Sequence, residues 1–180
     1  MKVDSVGLPL HCVVAQTVSE AVVHAGGWLF DQAASGLQTA AILLEPAEGN
    51  TLAILGATST TLESSLADID FDSGPLVVVM PARLYDTDRR VRDLAKRLFA
   101  NRRAVVFFCA ADDEDTAVVR YPLSYGARAF KAAALRAIGH VNGAADDVEI
   151  FIASARLRSA TATSENVQAS TRLVAKSRGA

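Results

Sequence analysis

Two stretches of the chain put hydroxyl groups and cations where a helix begins, an arrangement suited to holding an anion. The first is Gly56-Ala57-Thr58-Ser59-Thr60-Thr61, whose glycine lets backbone approach closely and whose Thr58, Ser59 and Thr61 hydroxyls could join successive N–H groups around a phosphate or carboxylate. The second is Ser124-Tyr125-Gly126-Ala127-Arg128, with Lys131 one turn later; its cations stand where a helix dipole would favour acids. Both have a plainer reading. Thr60 with Glu63 is a capping box on a short helix, and Arg128 and Lys131 can be solvated or paired with the acids at 112–115. No lysine follows the first turn, so the P-loop pattern is absent. Ala129 stands four after Tyr125 where a Tyr-x-x-x-Lys pair would need lysine, and no G-x-G-x-x-G opens a helix, which argues against a nicotinamide enzyme.

Other catalytic chemistries have weaker support. The acidic run Asp112, Asp113, Glu114, Asp115 could hold Mg²⁺ but reads better as a solvated turn. G-x-S-x-G is missing, and Cys109 lies in an apolar strand where a thiol is inert. His140 is the histidine in an evident loop, without a visible acid partner. His11, His24 and His140 share no ligand spacing with each other or with the cysteines, so no metal and no cofactor is expected.

Between Arg83 and Arg103 the chain carries eight Arg or Lys residues. On a helical wheel Val91, Leu94, Ala95, Leu98 and Phe99 form one apolar stripe, and the charges fill the remaining arc. Asp86–Arg90, Asp88–Arg92 and Asp93–Arg97 are acid-first i,i+4 pairs that neutralise three of the bases. That leaves Arg83, Arg89, Lys96, Arg102 and Arg103 as a candidate interaction surface. The net charge of −2 and the lack of interleaved aromatics make nucleic acid a poorer partner than protein. Residues 1–80 hold one base and nine acids, a balance of −8, whereas 81–180 hold seventeen bases and eleven acids, a balance of +6. Such asymmetry points either to docking of opposite surfaces within one molecule or between subunits, or to a basic half that meets an anionic partner.

The elements that would position these groups are short aliphatic runs at 40–45, 52–56, 76–80 and 104–110, continuous as in strands covered on both faces. Helical patterns lie between them: about 15–35 with Val18, Val22, Ala25, Leu29 and Ala33 on one face, a short helix after 60, one from Pro81 to about Ala100, and one from Ser124 to Gly139. The Gly26-Gly27 pair could kink or divide the first of these. A final strand is expected at 148–154. The alternation predicts a three-layer α/β domain with a mostly parallel sheet over residues 1–158, and a mobile tail over 159–180. One or two antiparallel hairpins are expected, from 40–45 with 52–56 across a short gap and from 104–110 with 117–123 across the acidic turn.

With 180 residues, half of them apolar, the chain can build a core without staples. Cys12 and Cys109 read as two reduced, buried thiols, and with neither a leader pattern nor a long apolar run the expected location is the cytoplasm. At "GGWLFD" (26–31), "AAILLE" (40–45) and "ILG" (54–56) the sequence resembles a group of uncharacterised actinobacterial proteins in which a Gly-Trp-Leu-Phe-Asp helix end precedes such a strand pair. The resemblance spans about residues 25–57; it implies an α/β fold and no activity.

Function is thereby narrowed to classes. The missing motifs and lopsided charge favour a catalytically silent module acting through protein contacts or self-association. The alternative is a small-molecule binder or enzyme taking a phosphorylated ligand or nucleotide at the strand ends, and weak nucleic-acid binding by the basic half is the third.

Overall fold

A computed structural model describes residues 10–47, 49–68, 76–101, 104–109, 118–140 and 143–153. In chain order the elements are β1 (Leu10–Ala15), α1 (Val18–Ala34), β2 (Gln38–Leu43), α2 (Thr51–Ile54), β3 (Thr58–Thr61), α3 (Leu62–Asp68), β4 (Leu76–Pro81), α4 (Ala82–Thr87), α5 (Arg89–Ala100), β5 (Ala104–Cys109), β6 (Val118–Pro122), α6 (Tyr125–Ala137) and β7 (Val148–Ala153). They build one seven-stranded sheet in the order β3-β2-β1-β4-β5-β7-β6. The first five strands of that order are parallel, and β7 is antiparallel to both β5 and β6.

The predicted α/β architecture with helices on both faces is therefore present. Alternate residues of each continuous apolar strand serve opposite cores. Val13 and Ala15 of β1 pack with α1, α2 and α6, while Cys12 and Val14 pack with α3, α4 and α5. On α5 the buried residues are Val91, Leu94, Ala95 and Leu98, as the wheel required. Helix α1 ends before Gly36, whose φ of +81° suits the residue without a Cβ, and α6 starts at its Ser124 cap.

Three expectations fail for physical reasons. The run at 52–56 is not a strand. Leu52 and Leu55 face the core at helical spacing, Gly56 reverses the chain at φ +70°, and β3 follows as the polar stretch Thr58–Thr61, parallel to β2. A four-residue apolar run does not by itself distinguish the two. The hairpin between 104–110 and 117–123 does not form either, because β7 separates β5 from β6. Strand β7 buries Glu149, Phe151, Ile152 and Ala153, whereas β6 leaves Val118, Arg120 and Pro122 exposed, so the more apolar strand takes the inner place. Finally, the helix from Pro81 to Ala100 is two helices. Asp88 stands between them in extended conformation (φ −101°, ψ 119°) and caps α5 by accepting from the Arg90 and Val91 N–H groups.

This break explains the ion pairing. Asp86 belongs to α4 and Asp88 is a cap, so neither lies one turn before its expected arginine within one helix. Asp88 instead pairs with Arg90 at 2.8 Å, and Arg92 donates to the carbonyls of Tyr85 and Asp86. Arg90 also reaches Glu63 at 2.6 Å, a bond between the acidic and basic halves of the chain. The tail at 159–180, the acids at 112–115, Arg102 and Arg103 lie outside the described residues.

Candidate functional site at the strand carboxyl ends

In an open parallel sheet, ligands bind beyond the carboxyl ends at the place where the strand order reverses. Here β1 feeds α1 and β2 on one side, and β4 lies on its other side, so the reversal falls between β1 and β4. A polar cluster bridges that place. Arg83, the second residue of α4, pairs with Glu20 at 2.5 Å through Nη2 and donates to Gln16 Oε1 at 3.3 Å through Nη1. Gln16 passes the connection on to the end of β2, donating from Nε2 to Glu45 Oε1 at 2.8 Å.

Local sequence explains why these groups converge. Thr17 caps α1 by accepting the Glu20 N–H at 3.2 Å, and Glu20 returns to accept the Gln16 N–H at 2.7 Å. This is a variant of the reciprocal capping box, with the returning carboxylate taking the N–H one residue before the cap. The Thr17-x-x-Glu20 spacing was visible in the sequence and would have pointed here, although β1 before it was not expected as a strand. Pro81 ends β4, which sets Arg83 just beyond the same edge of the sheet.

Beside this cluster a cleft of about 1050 Å³ opens between the first turn of α1, the loop after β2 and the end of α6. Its polar lining comes from Thr17, Ser19, Glu45, Asn50 and Thr51, and its apolar lining from Val18, Pro46, Ile54 and Ile138. His140 lies two residues beyond Ile138, its Nε2 3.4 Å from Ser19 Oγ. Deeper in the molecule His24 is half-buried, and loss of solvation holds its imidazole below the usual range, with the Lys131 and Arg83 charges adding and Glu20 opposing.

A second polar group is buried behind α1. Glu149 of β7 accepts the Gly27 and Trp28 N–H groups at 2.8 Å each and the Lys131 ammonium at 2.7 Å, while Lys131 also donates to the Val23 carbonyl at 2.7 Å. A regular helix would join the Val23 carbonyl to the Gly27 N–H; here each has a partner from outside α1. Helix α1 nonetheless runs unbroken through Gly26-Gly27. A Cβ on Gly27 would fall 2.5 Å from the Leu123 methyls, so the missing side chain admits Leu123, the residue after β6, against the backbone. Burial pushes the Glu149 carboxyl up, and Lys131 and the two N–H groups oppose that shift.

The residues singled out in the sequence are not gathered into one cradle. Thr58 and Ser59 lie on edge strand β3, where the Thr58 hydroxyl donates to the Thr39 carbonyl. Thr61, rather than Thr60, caps α3 by accepting the Ser64 N–H at 3.3 Å. Ser124 caps α6 and donates to Asp31, which also accepts from the Tyr121 hydroxyl. Arg128 pairs with Asp147 at 2.6 Å, and Lys131, 3% exposed, is held by Glu149. Arg89 and Lys96 both pair with Asp93, at 3.7 and 3.3 Å, on the open face of α5. Cys12 and Cys109 are free and buried, and burial pushes both thiols up to about 12, far from the thiolate needed for attack.

Among the described residues no group of three His, Cys, Asp or Glu side chains could hold a metal ion, and no helix is long and apolar enough to cross a membrane. No family model matches the chain, and no curated protein matches it by sequence. Solved structures do. The conserved protein TT1542 from Thermus thermophilus is similar over 82% of this chain and 94% of its own, with 20% identity and a TM-score of 0.48. The A40926 pseudoaglycone deacetylase Dbv21 is similar over 81% of this chain and 96% of its own, with 12% identity and a TM-score of 0.55, so the two chains share an α/β fold.

Proposed function

We propose that the protein binds a small, neutral, hydroxyl-rich molecule in the cleft at the carboxyl ends of β1 and β2, and acts on it as an enzyme. The observation that carries this is the cleft itself, lined by Thr17, Ser19, Asn50 and Thr51 beside the Gln16–Glu20–Arg83 cluster where the strand order reverses. Electrostatics selects against an anion. Arg83 is the cation of the cluster and already serves Glu20, while Glu45 adds a carboxylate to the cleft wall. The likeness of fold to a deacetylase supports an enzymatic rather than a silent role.

Titration with glucose and with glucose 6-phosphate, followed by amide NMR, tests the reading. Glucose should perturb the amides of residues 17–19 and 45–51 in the native chain and lose that effect in Asn50→Ala, with the phosphate ester binding more weakly. Shifts confined to 124–131, or preference for the phosphate ester, would favour the anion cradle instead.

A second reading, contact with a protein partner, draws on an exposed aromatic group. Phe30 and Phe130 stack at 4.5 Å, and Tyr125 stands 82% exposed nearby on α6. Sedimentation of Tyr125→Ser beside the native chain tests it: a monomer in both cases removes self-association.

A further inference from the structure

Ser19 and His140 are 121 positions apart in sequence, yet Ser19 Oγ, which lines the cleft, stands 3.4 Å from His140 Nε2, two residues beyond the lining Ile138. A hydroxyl beside an imidazole is the minimal set for nucleophilic attack, and such contacts tighten when a substrate excludes water. Both partners sit on fixed backbone. Ser19 is the second residue of the 17-residue α1, where the helix dipole favours developing negative charge. His140 follows Gly139 at φ +85°, donates its N–H to the Leu135 carbonyl at 3.0 Å and accepts the Gly143 N–H at 3.1 Å. The Val18 and Ser19 N–H groups belong to the first turn and have no acceptor within the helix.

We propose that Ser19 is a nucleophile and His140 its general base in transferring an acyl group from an ester or amide to water. This rests on the cleft being a ligand site. His140 takes the Ser19 hydroxyl proton on Nε2 as Oγ bonds to the acyl carbon. The bond from that carbon to the leaving oxygen or nitrogen breaks, and the proton passes from Nε2 to the leaving group. Water then attacks the acyl-serine, giving its proton through His140 to the departing Ser19 oxygen, and a carboxylic acid leaves.

The test uses p-nitrophenyl acetate with the full chain, following p-nitrophenolate release and locating bound acetyl by peptide mass mapping. Expected are an initial burst and an acetyl ester on Ser19, both abolished in Ser19→Ala, retained as a thioester in Ser19→Cys, and slowed about 100-fold or more in His140→Gln. Acetyl found only on lysines, an equal rate in Ser19→Ala, or no acylation would overturn the assignment. Ser19→Ala is also titrated with glucose. Binding without acylation in the native chain removes the Ser19–His140 pair and leaves the cleft standing, whereas no binding by either chain removes the cleft reading itself.

Discussion

Lys131 and Glu149, one on α6 and one on β7, form an ion pair of 2.7 Å in which both side chains are almost fully buried. Between them they take up the Val23 carbonyl and the Gly27 and Trp28 N–H groups of a third element, α1. Two charges thus tie three elements together behind the candidate site.

Removing one of these charges leaves the other buried without its partner. Lys131→Met should lower the unfolding free energy by about 3–5 kcal/mol, read from urea denaturation. Lys131→Met with Glu149→Gln should lose less than the two single changes summed, because the amide keeps hydrogen-bonding capacity without a charge. Additive losses would mean that the pair is not coupled.

The approach of Leu123, just after β6, to α1 depends on one missing methyl group. Gly27→Ala adds a Cβ 2.5 Å from the Leu123 methyls, and overpacking should cost about 1–3 kcal/mol despite the better helix propensity of alanine. In a Leu123→Ala background the clash is gone, and Gly27→Ala should become neutral or stabilising. Denaturation midpoints of the four chains in this cycle decide it.

Asp88 caps α5 as a carboxylate. Its hydrogen bond to the Arg90 guanidinium, with the backbone N–H groups of Arg90 and Val91, holds the carboxyl below its usual range. A folded pKa below the unfolded one means stability that is present above the unfolded pKa and lost as pH falls through the folded one. Asp88→Ala should cost about 1 kcal/mol at neutral pH, measured by chemical unfolding. That deficit should shrink as pH falls below the ordinary carboxylate pKa. A deficit constant with pH would mean that the charge of Asp88 plays no part.

The basic segment shows how far sequence reading went. Its apolar stripe was legible because a 3.6-residue period fixes which side chains share a face, and Val91, Leu94, Ala95 and Leu98 are buried accordingly. Its ion pairs were not, since they depend on the break at Asp88 and on Glu20 and Glu63, which only folding brings near. Arg83, expected on an interaction surface, joins Glu20 and Gln16 in the cluster at the strand ends.

The class of fold, the apolar runs that become β2, β4, β5 and β7, and the ends of α1 and α6 could be read from the sequence, because capping, glycine turns and hydrophobic period act within a few residues of chain; β1, a short run directly before α1, could not. Strand order was decided by the tertiary structure alone, since β7 enters between β5 and β6 by being more apolar than β6. The buried Lys131–Glu149 pair and the meeting of Ser19 with His140 were decided there too. Each joins residues from distant parts of the chain, and no local spacing records such a contact.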